Sequence, residues 1–221
     1  MGQMVSFKRP DGGECNGYLA APSAEKAPGV VVIQEWWGLN DQIKGVADNL
    51  AKLGYRALVP DLYKGKVALD VAEAKHLMTN LNFADAATQD VRGAAQYLKP
   101  SSAKVGVVGF CMGGALTVLA AMYVNEADAC SSWYGFPPEQ AGDPKTIRKP
   151  LQLHLAEQDA SFAPEGARAL ESKLREGKVP FESYWYNAGH AFFNEKGPNY
   201  NAACANQAWQ RTVDFFAKHL K

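Results

Sequence analysis

The sequence predicts an α/β fold with a doubly wound, mostly parallel sheet, and three observations carry that expectation. Short β-branched runs alternate with helical segments along most of the chain. Two of those runs, "GVVVIQ" (29–34) and "KVGVVGF" (104–110), are apolar nearly throughout, as strands buried on both faces are. The exception is the start, where Asp11-Gly12-Gly13 lies between two short alternating runs and reads as the turn of an antiparallel hairpin. With 221 residues, 47% of them apolar, the chain sustains one substantial core, so a single domain over 1–221 is expected.

Each later element follows from local chemistry. A helix fits Asp41 to Leu53, with Asp41 as N-cap and Gly54 as its stop. Tyr55 to Val59 reads as a strand cut at Pro60, and Lys64 to Lys99, rich in alanine, reads as helical up to Pro100. The strand ending at Phe110 runs directly into "GGALTVLAAMYV", apolar nearly all round, as a helix packed on a sheet is. "ACSSWYG" and "LQLHLA" are strands, Pro164 to Glu176 an amphipathic helix, and Phe181 to Asn187 a last strand. Tyr200 to Leu220 closes the chain as a long helix with Trp209, Val213 and Phe216 on one stripe.

Composition removes several function classes. Lys plus Arg and Asp plus Glu number 23 each, and no basic stripe interleaved with aromatics occurs, so nucleic acid is not an expected partner. No apolar stretch approaches the ~18 residues of a membrane span, and no charged segment followed by an apolar run opens the chain. A cytoplasmic protein with no membrane partner is the expectation. Cys15, Cys111, Cys130 and Cys204 are scattered with no C-x-x-C pair, which suits free thiols in a reducing compartment. The glycines of "GFCMGG" (109–114) do not make G-x-G-x-x-G, and no Lys-Ser/Thr follows to make a phosphate loop. Oligomeric state leaves no signature.

In an open parallel sheet, chemistry sits beyond the carboxyl ends of the strands. Three polar residues fall there: Cys111 after "KVGVVGF", Asp159 in "AEQDASF", and His190 in "NAGHAFF". Taken singly they have ordinary explanations: a small core cysteine, a loop cap, a turn histidine. Together they give nucleophile, acid and histidine in the chain order of the α/β-hydrolase triad, with Gly109-x-Cys111-x-Gly113 as a nucleophile elbow carrying Cys in the Ser place. The other histidines fit structural roles: His154 packed inside a strand, His76 on a solvated helix face, His219 at a helix end.

"GFCMGG", "QEWWGLND", "PDLYKGK" and "GHAFFN" together resemble the dienelactone hydrolase (carboxymethylenebutenolidase) family, and the likeness runs from the second strand to the closing helix. The resemblance implies the α/β-hydrolase fold and a Cys-His-Asp triad at Cys111, His190 and Asp159. It also implies a glutamate beside the resting thiol at Glu35, and an oxyanion hole from the backbone N–H groups of Trp36 and Met112. The activity implied is opening of small lactones or cleavage of esters through an acyl-enzyme, with no metal and no organic cofactor. Glu35 is expected to raise the thiol pKa by like-charge repulsion and to accept its S–H. Trp36, Trp37, Tyr134, Phe136, Phe162 and Phe192 are expected to line an apolar substrate pocket. One departure stands out. Asp61 to Val91 contains no arginine, and the segment after His190 offers only Lys196, so the carboxylate grip of dienelactone-specific members is missing, and Lys64, Lys66 or Lys75 does not reproduce its bidentate geometry. A competing reading of another class is a non-catalytic protein using Cys111 as a redox-responsive thiol.

Overall fold

The structure, a computed structural model, describes residues 2–221. Strands β1 (Gln3–Lys8), β2 (Glu14–Ala20), β3 (Gly29–Ile33), β4 (Arg56–Pro60), β5 (Val105–Phe110), β6 (Ala129–Trp133), β7 (Leu151–Gln158) and β8 (Phe181–Gly189) form one sheet in the order β1-β2-β4-β3-β5-β6-β7-β8. The hairpin forms as expected: Gly12 takes φ +86° in the turn, and Arg9 N donates to Gly13 O. Antiparallel pairing reaches one strand further than the hairpin, because β2 also runs antiparallel to β4; from β4 to β8 every pairing is parallel.

Helices α1 (Asp41–Lys52) and α7 (Ala202–Leu220) pack on one face through Ile43, Val46, Leu50, Ala208, Phe215 and Phe216. On the other face lie α4 (Arg92–Leu98), α5 (Met112–Tyr123) and α6 (Pro164–Glu176), led by Leu98, Leu116, Leu119, Leu170 and Leu174. The sheet is therefore doubly wound, and β5, at its centre, is buried along its whole length.

Three local expectations need correction. The N-cap of α1 is Asn40, whose extended backbone lets its side chain accept from Ile43 N; Asp41 is the first helical residue, where its charge favours the helix N-terminus. The predicted helical span 64–99 is broken. It holds α2 (Val71–Thr79), then α3 (Phe83–Asp85), a π-helical stretch Ala86–Val91 and α4, with a break at residues 80–82 where Asn82 caps the second run by accepting from Asp85 N. On α7 the buried stripe is Ala205, Ala208, Thr212, Phe215, Phe216 and Leu220, while Trp209 and Val213 lie at its margin. Gly54 does end α1, at φ +89°.

Thr212 faces a buried polar cluster. His154, fully buried on β7, contacts Tyr186 Oη through Nδ1 at 2.8 Å, and Gln152 Oε1 and Thr212 Oγ1 through Nε2, both at 2.9 Å. Burial, assisted by Arg211, holds its pKa well below the usual histidine range. The unfolded chain therefore binds a proton that the folded chain refuses, so acid below about pH 6.5 favours unfolding. Urea unfolding should give a lower free energy at pH 5 than at pH 8, with His154 contributing up to about 2 kcal/mol of the difference. His154→Gln should flatten that dependence. An unchanged pH slope in the variant would remove His154 as its source.

Candidate active site

Chain connectivity alone brings three polar loops together at the carboxyl edge. β5 ends at Phe110, and Cys111 makes the whole turn into α5 with φ 58°, a left-handed conformation that costs a side-chain-bearing residue energy. The turn closes only because its neighbours are bare. A Cβ on Gly113 would lie 2.5 Å from the carbonyl oxygens of both Ile33 and Gln34, and one on Gly109 or Gly135 would collide with the backbone of Gly113 or Cys111. The cysteine is thus held, buried, at the carboxyl end of the central strand, immediately before the first residue of α5.

β7 and β8 end side by side, with a register shift between Ala156 and Gln158 and Gln158 paired to Gly189. That register sets Asp159 next to His190. Asp159 Oδ1 accepts from the N–H groups of Ser161 and Phe162, each at 2.8 Å, while Oδ2 lies 2.8 Å from His190 Nδ1. It is both the loop cap and the histidine's partner. A carboxylate only accepts, so Nδ1 carries the hydrogen and Nε2 is left to accept from the Cys111 thiol at 3.1 Å. The His190 ring is stacked by Phe162 at 5.5 Å and met edge-on by Tyr134 at 5.3 Å. Five non-glycine residues of the described chain have positive φ, and three of them are here: Cys111, Tyr134 (36°) and Ala191 (60°). Strain gathered at one point of a sheet marks a functional site.

Glu35 is almost wholly buried beside this constellation, but it does not hydrogen-bond the sulfur. Its Oε1 accepts from Tyr134 Oη at 3.0 Å and its Oε2 from Asn194 Nδ2 at 2.7 Å. Burial raises its pKa, and those two donors pull in the opposite direction. The Cys111 thiol is pushed far above the ordinary thiol range, first by burial and then by the Glu35 charge, while the N–H groups of Met112 and Trp36 favour the thiolate. The two backbone donors expected of an oxyanion hole are thus the ones that favour the thiolate. The like-charge effect of Glu35 is present, and the S–H partner is His190 rather than Glu35.

The aromatic residues do not form one pocket. Phe192 is fully buried between Trp133, Tyr134 and Tyr186 and belongs to the core. Trp36 and Trp37 pack edge-to-face at 5.5 Å, and Ala68 N donates to Trp37 O, fixing the loop that carries Glu35. Phe136 meets Phe162 edge-on at 5.4 Å and lines an apolar cavity of about 120 Å³ against α5 and α6. A polar cleft of about 490 Å³, bordered by Gln158, Ser161, Asn187, Asn199 and Asn201, opens at His190. Lys64, Lys66 and Lys75 are exposed. Asn194 went unrecognised in the sequence, where an asparagine three residues into a turn carries no signal. Among the described residues no group of three or more His, Cys, Asp or Glu has metal-binding geometry, and no helix is long and apolar enough to cross a membrane.

Fold and site together define an α/β hydrolase. The chain superposes on a dienelactone hydrolase-like promiscuous phosphotriesterase from metagenomic libraries with a TM-score of 0.86 at 25% identity, covering 100% of this chain and 99% of that one. It also superposes on an esterase of Pyrococcus furiosus at 0.75 and 15% identity, covering 100% and 94%, a likeness of fold alone. The chain belongs to the dienelactone hydrolase family, whose profile matches residues 15–220. It is 36% identical over 232 residues to protein usf of Aquifex pyrophilus, covering all of both chains. It is 30% identical over 228 residues to a carboxymethylenebutenolidase of Pseudomonas putida, covering 96% and 95%.

Removing the Glu35 charge should make the thiol more acidic. Glu35→Gln is expected to raise the rate of Cys111 alkylation by iodoacetamide at pH 8 by about tenfold, the effect of one pKa unit on the thiolate fraction. The variant should still react more slowly than an exposed thiol, since burial, the larger cause, remains. Rates referenced to Cys111→Ala, so that Cys204 is subtracted, make the comparison; identical rates would show that the charge does not act on the sulfur.

Proposed function

We propose that the protein is a carboxylic ester hydrolase that cleaves small neutral esters or lactones through a Cys111–His190–Asp159 triad and a thioester acyl-enzyme. The observation that carries this reading is the unbroken contact from Asp159 Oδ2 to His190 Nδ1 and from His190 Nε2 to the Cys111 sulfur. Membership of the dienelactone hydrolase family supports it, as does the carboxymethylenebutenolidase named among the relatives. A redox-responsive thiol would have no use for a carboxylate saturated by two N–H groups and a histidine, so the sensor reading has nothing to favour it.

The chemistry follows from the geometry. The ester carbonyl oxygen sits against the N–H groups of Trp36 and Met112. His190 Nε2 takes the thiol proton as the sulfur attacks the carbonyl carbon, and Asp159 stabilises the imidazolium formed. The two backbone donors hold the tetrahedral oxyanion, each worth about 3 kcal/mol. Collapse of that intermediate breaks the C–O bond, and His190 returns its proton to the departing oxygen. Water, deprotonated by the same Nε2, then attacks the thioester; the acid leaves and the thiol is restored. Until substrate arrives, burial and the Glu35 charge keep Cys111 protonated, which limits its oxidation. Tyr134 and Asn194 serve that state by holding Glu35 in place.

Cys111→Ala and His190→Ala are each expected to lower kcat on p-nitrophenyl acetate by about 10³-fold or more, with effects that do not add in the double variant. Wild-type turnover surviving in either would end the proposal. The missing arginines set the selectivity: kcat/KM should favour neutral esters over the anionic dienelactone. A reversed preference, measured side by side, would show that lysines or backbone donors replace the guanidinium grip.

A further inference from the structure

The apolar cavity beside Phe136 has no part in the chemistry above. Its walls are Met122 near the end of α5, Phe136 and Pro144 from the segment after β6, and Gly166 and Leu170 of α6. It is built into the fold. Tyr123 Oη donates to Ala141 O at 3.0 Å and pins the 136–146 segment over α5 as a roof. Glu139 on that roof pairs with Lys173 of α6 at 3.1 Å across the rim. A Cβ on Gly166 would lie 2.8 Å from the Phe136 ring, so the glycine lets that ring sit flat against α6.

The cavity adjoins the site through one shared wall, the Phe136 ring. Phe136 follows Gly135, whose Cα is pressed against the Cys111 carbonyl, and its ring meets Phe162, which stacks on His190. Two aromatic rings are all that separate an apolar chamber from the imidazole. The volume limits the occupant: a dry cavity of ~150 Å³ takes benzene, so about 120 Å³ takes roughly five carbons. Its apolar walls offer no partner for a carboxylate or an alcohol, and the charged pair at the rim is already mutually satisfied.

We infer that this cavity is a subsite for a linear aliphatic arm of the ester substrate, reached when the touching rings of Phe136 and Phe162 part. The inference rests on the ester-hydrolase reading and deepens it, from small neutral esters to esters carrying a medium-length alkyl chain. Acetyl and ethyl groups are too short to pass the ring pair; an octyl chain passes it and fills the chamber.

Ala169→Trp fills the cavity from α6 and Met122→Trp fills it from α5, both from positions that are not fully buried. The measurement is kcat/KM for p-nitrophenyl octanoate against acetate, which tests an acyl arm, and for octyl acetate against ethyl acetate, which tests an alkoxy arm. In the wild type one long-to-short ratio should exceed unity. Both variants should lower that ratio about tenfold or more, a size typical of discrimination by an apolar pocket. Whichever ratio falls identifies the arm. Ratios that stay the same in both variants, with the short esters still hydrolysed, would overturn the subsite alone. Failure of the wild type to hydrolyse any of the four esters would overturn the ester-hydrolase reading, and the subsite with it.

Discussion

The turn at Cys111 is the constraint on which the rest of the molecule depends. A central strand must stop, reverse its backbone at φ 58° and start a helix within one residue, setting the buried thiol against His190. That conformation is unfavourable for cysteine, so the surroundings must enforce it. The helix α5 is pressed so closely on β3 and β6 that Gly113 and Gly114 leave no space for a Cβ, and Gly135 approaches the Cys111 carbonyl from the loop after β6. Burial of β5 on both faces supplies the stabilisation that opposes the strain. The same close packing sets the Met112 N–H near the sulfur, where it favours the thiolate and where the proposed mechanism needs an oxyanion donor.

Electrostatics then set the resting state. Burial raises the thiol, and a carboxylate fixed by Tyr134 and Asn194 raises it further, while the start of α5 and the Trp36 N–H act against them. Burial and like charge win, so Cys111 rests as a thiol with its proton facing His190. In the proposed mechanism, a substrate that brings a carbonyl oxygen to the two N–H groups supplies what the resting site lacks, a way to spread the charge that leaves the sulfur.

Much of this was legible in the sequence, for identifiable physical reasons. Strands buried on both faces announce themselves as apolar runs, and Cys111 and Asp159 each follow such a run, while His190 follows the aromatic-rich edge strand β8, so position and order carried the information. Features that depend on tertiary register were hidden. Alanine-rich sequence satisfies a helix continuously, which masked the break at residues 80–82 although Asn82 was there to cap the second run. Phe192 reads like pocket lining because it neighbours His190, yet the tight turn after β8 sends its ring into the core. Asn194 acquires its role only when that turn brings it to Glu35, 159 residues away in sequence.

The central claim is that Cys111 carries the acyl group. Acid quenching of the wild type during steady-state turnover of p-nitrophenyl acetate, followed by peptide mass mapping, tests it most directly. One acetyl group on Cys111, lost on hydroxylamine treatment and missing from Cys111→Ala, is the predicted result. An acetyl group found on a different residue, with Cys111 unmodified while hydrolysis proceeds, would contradict the account.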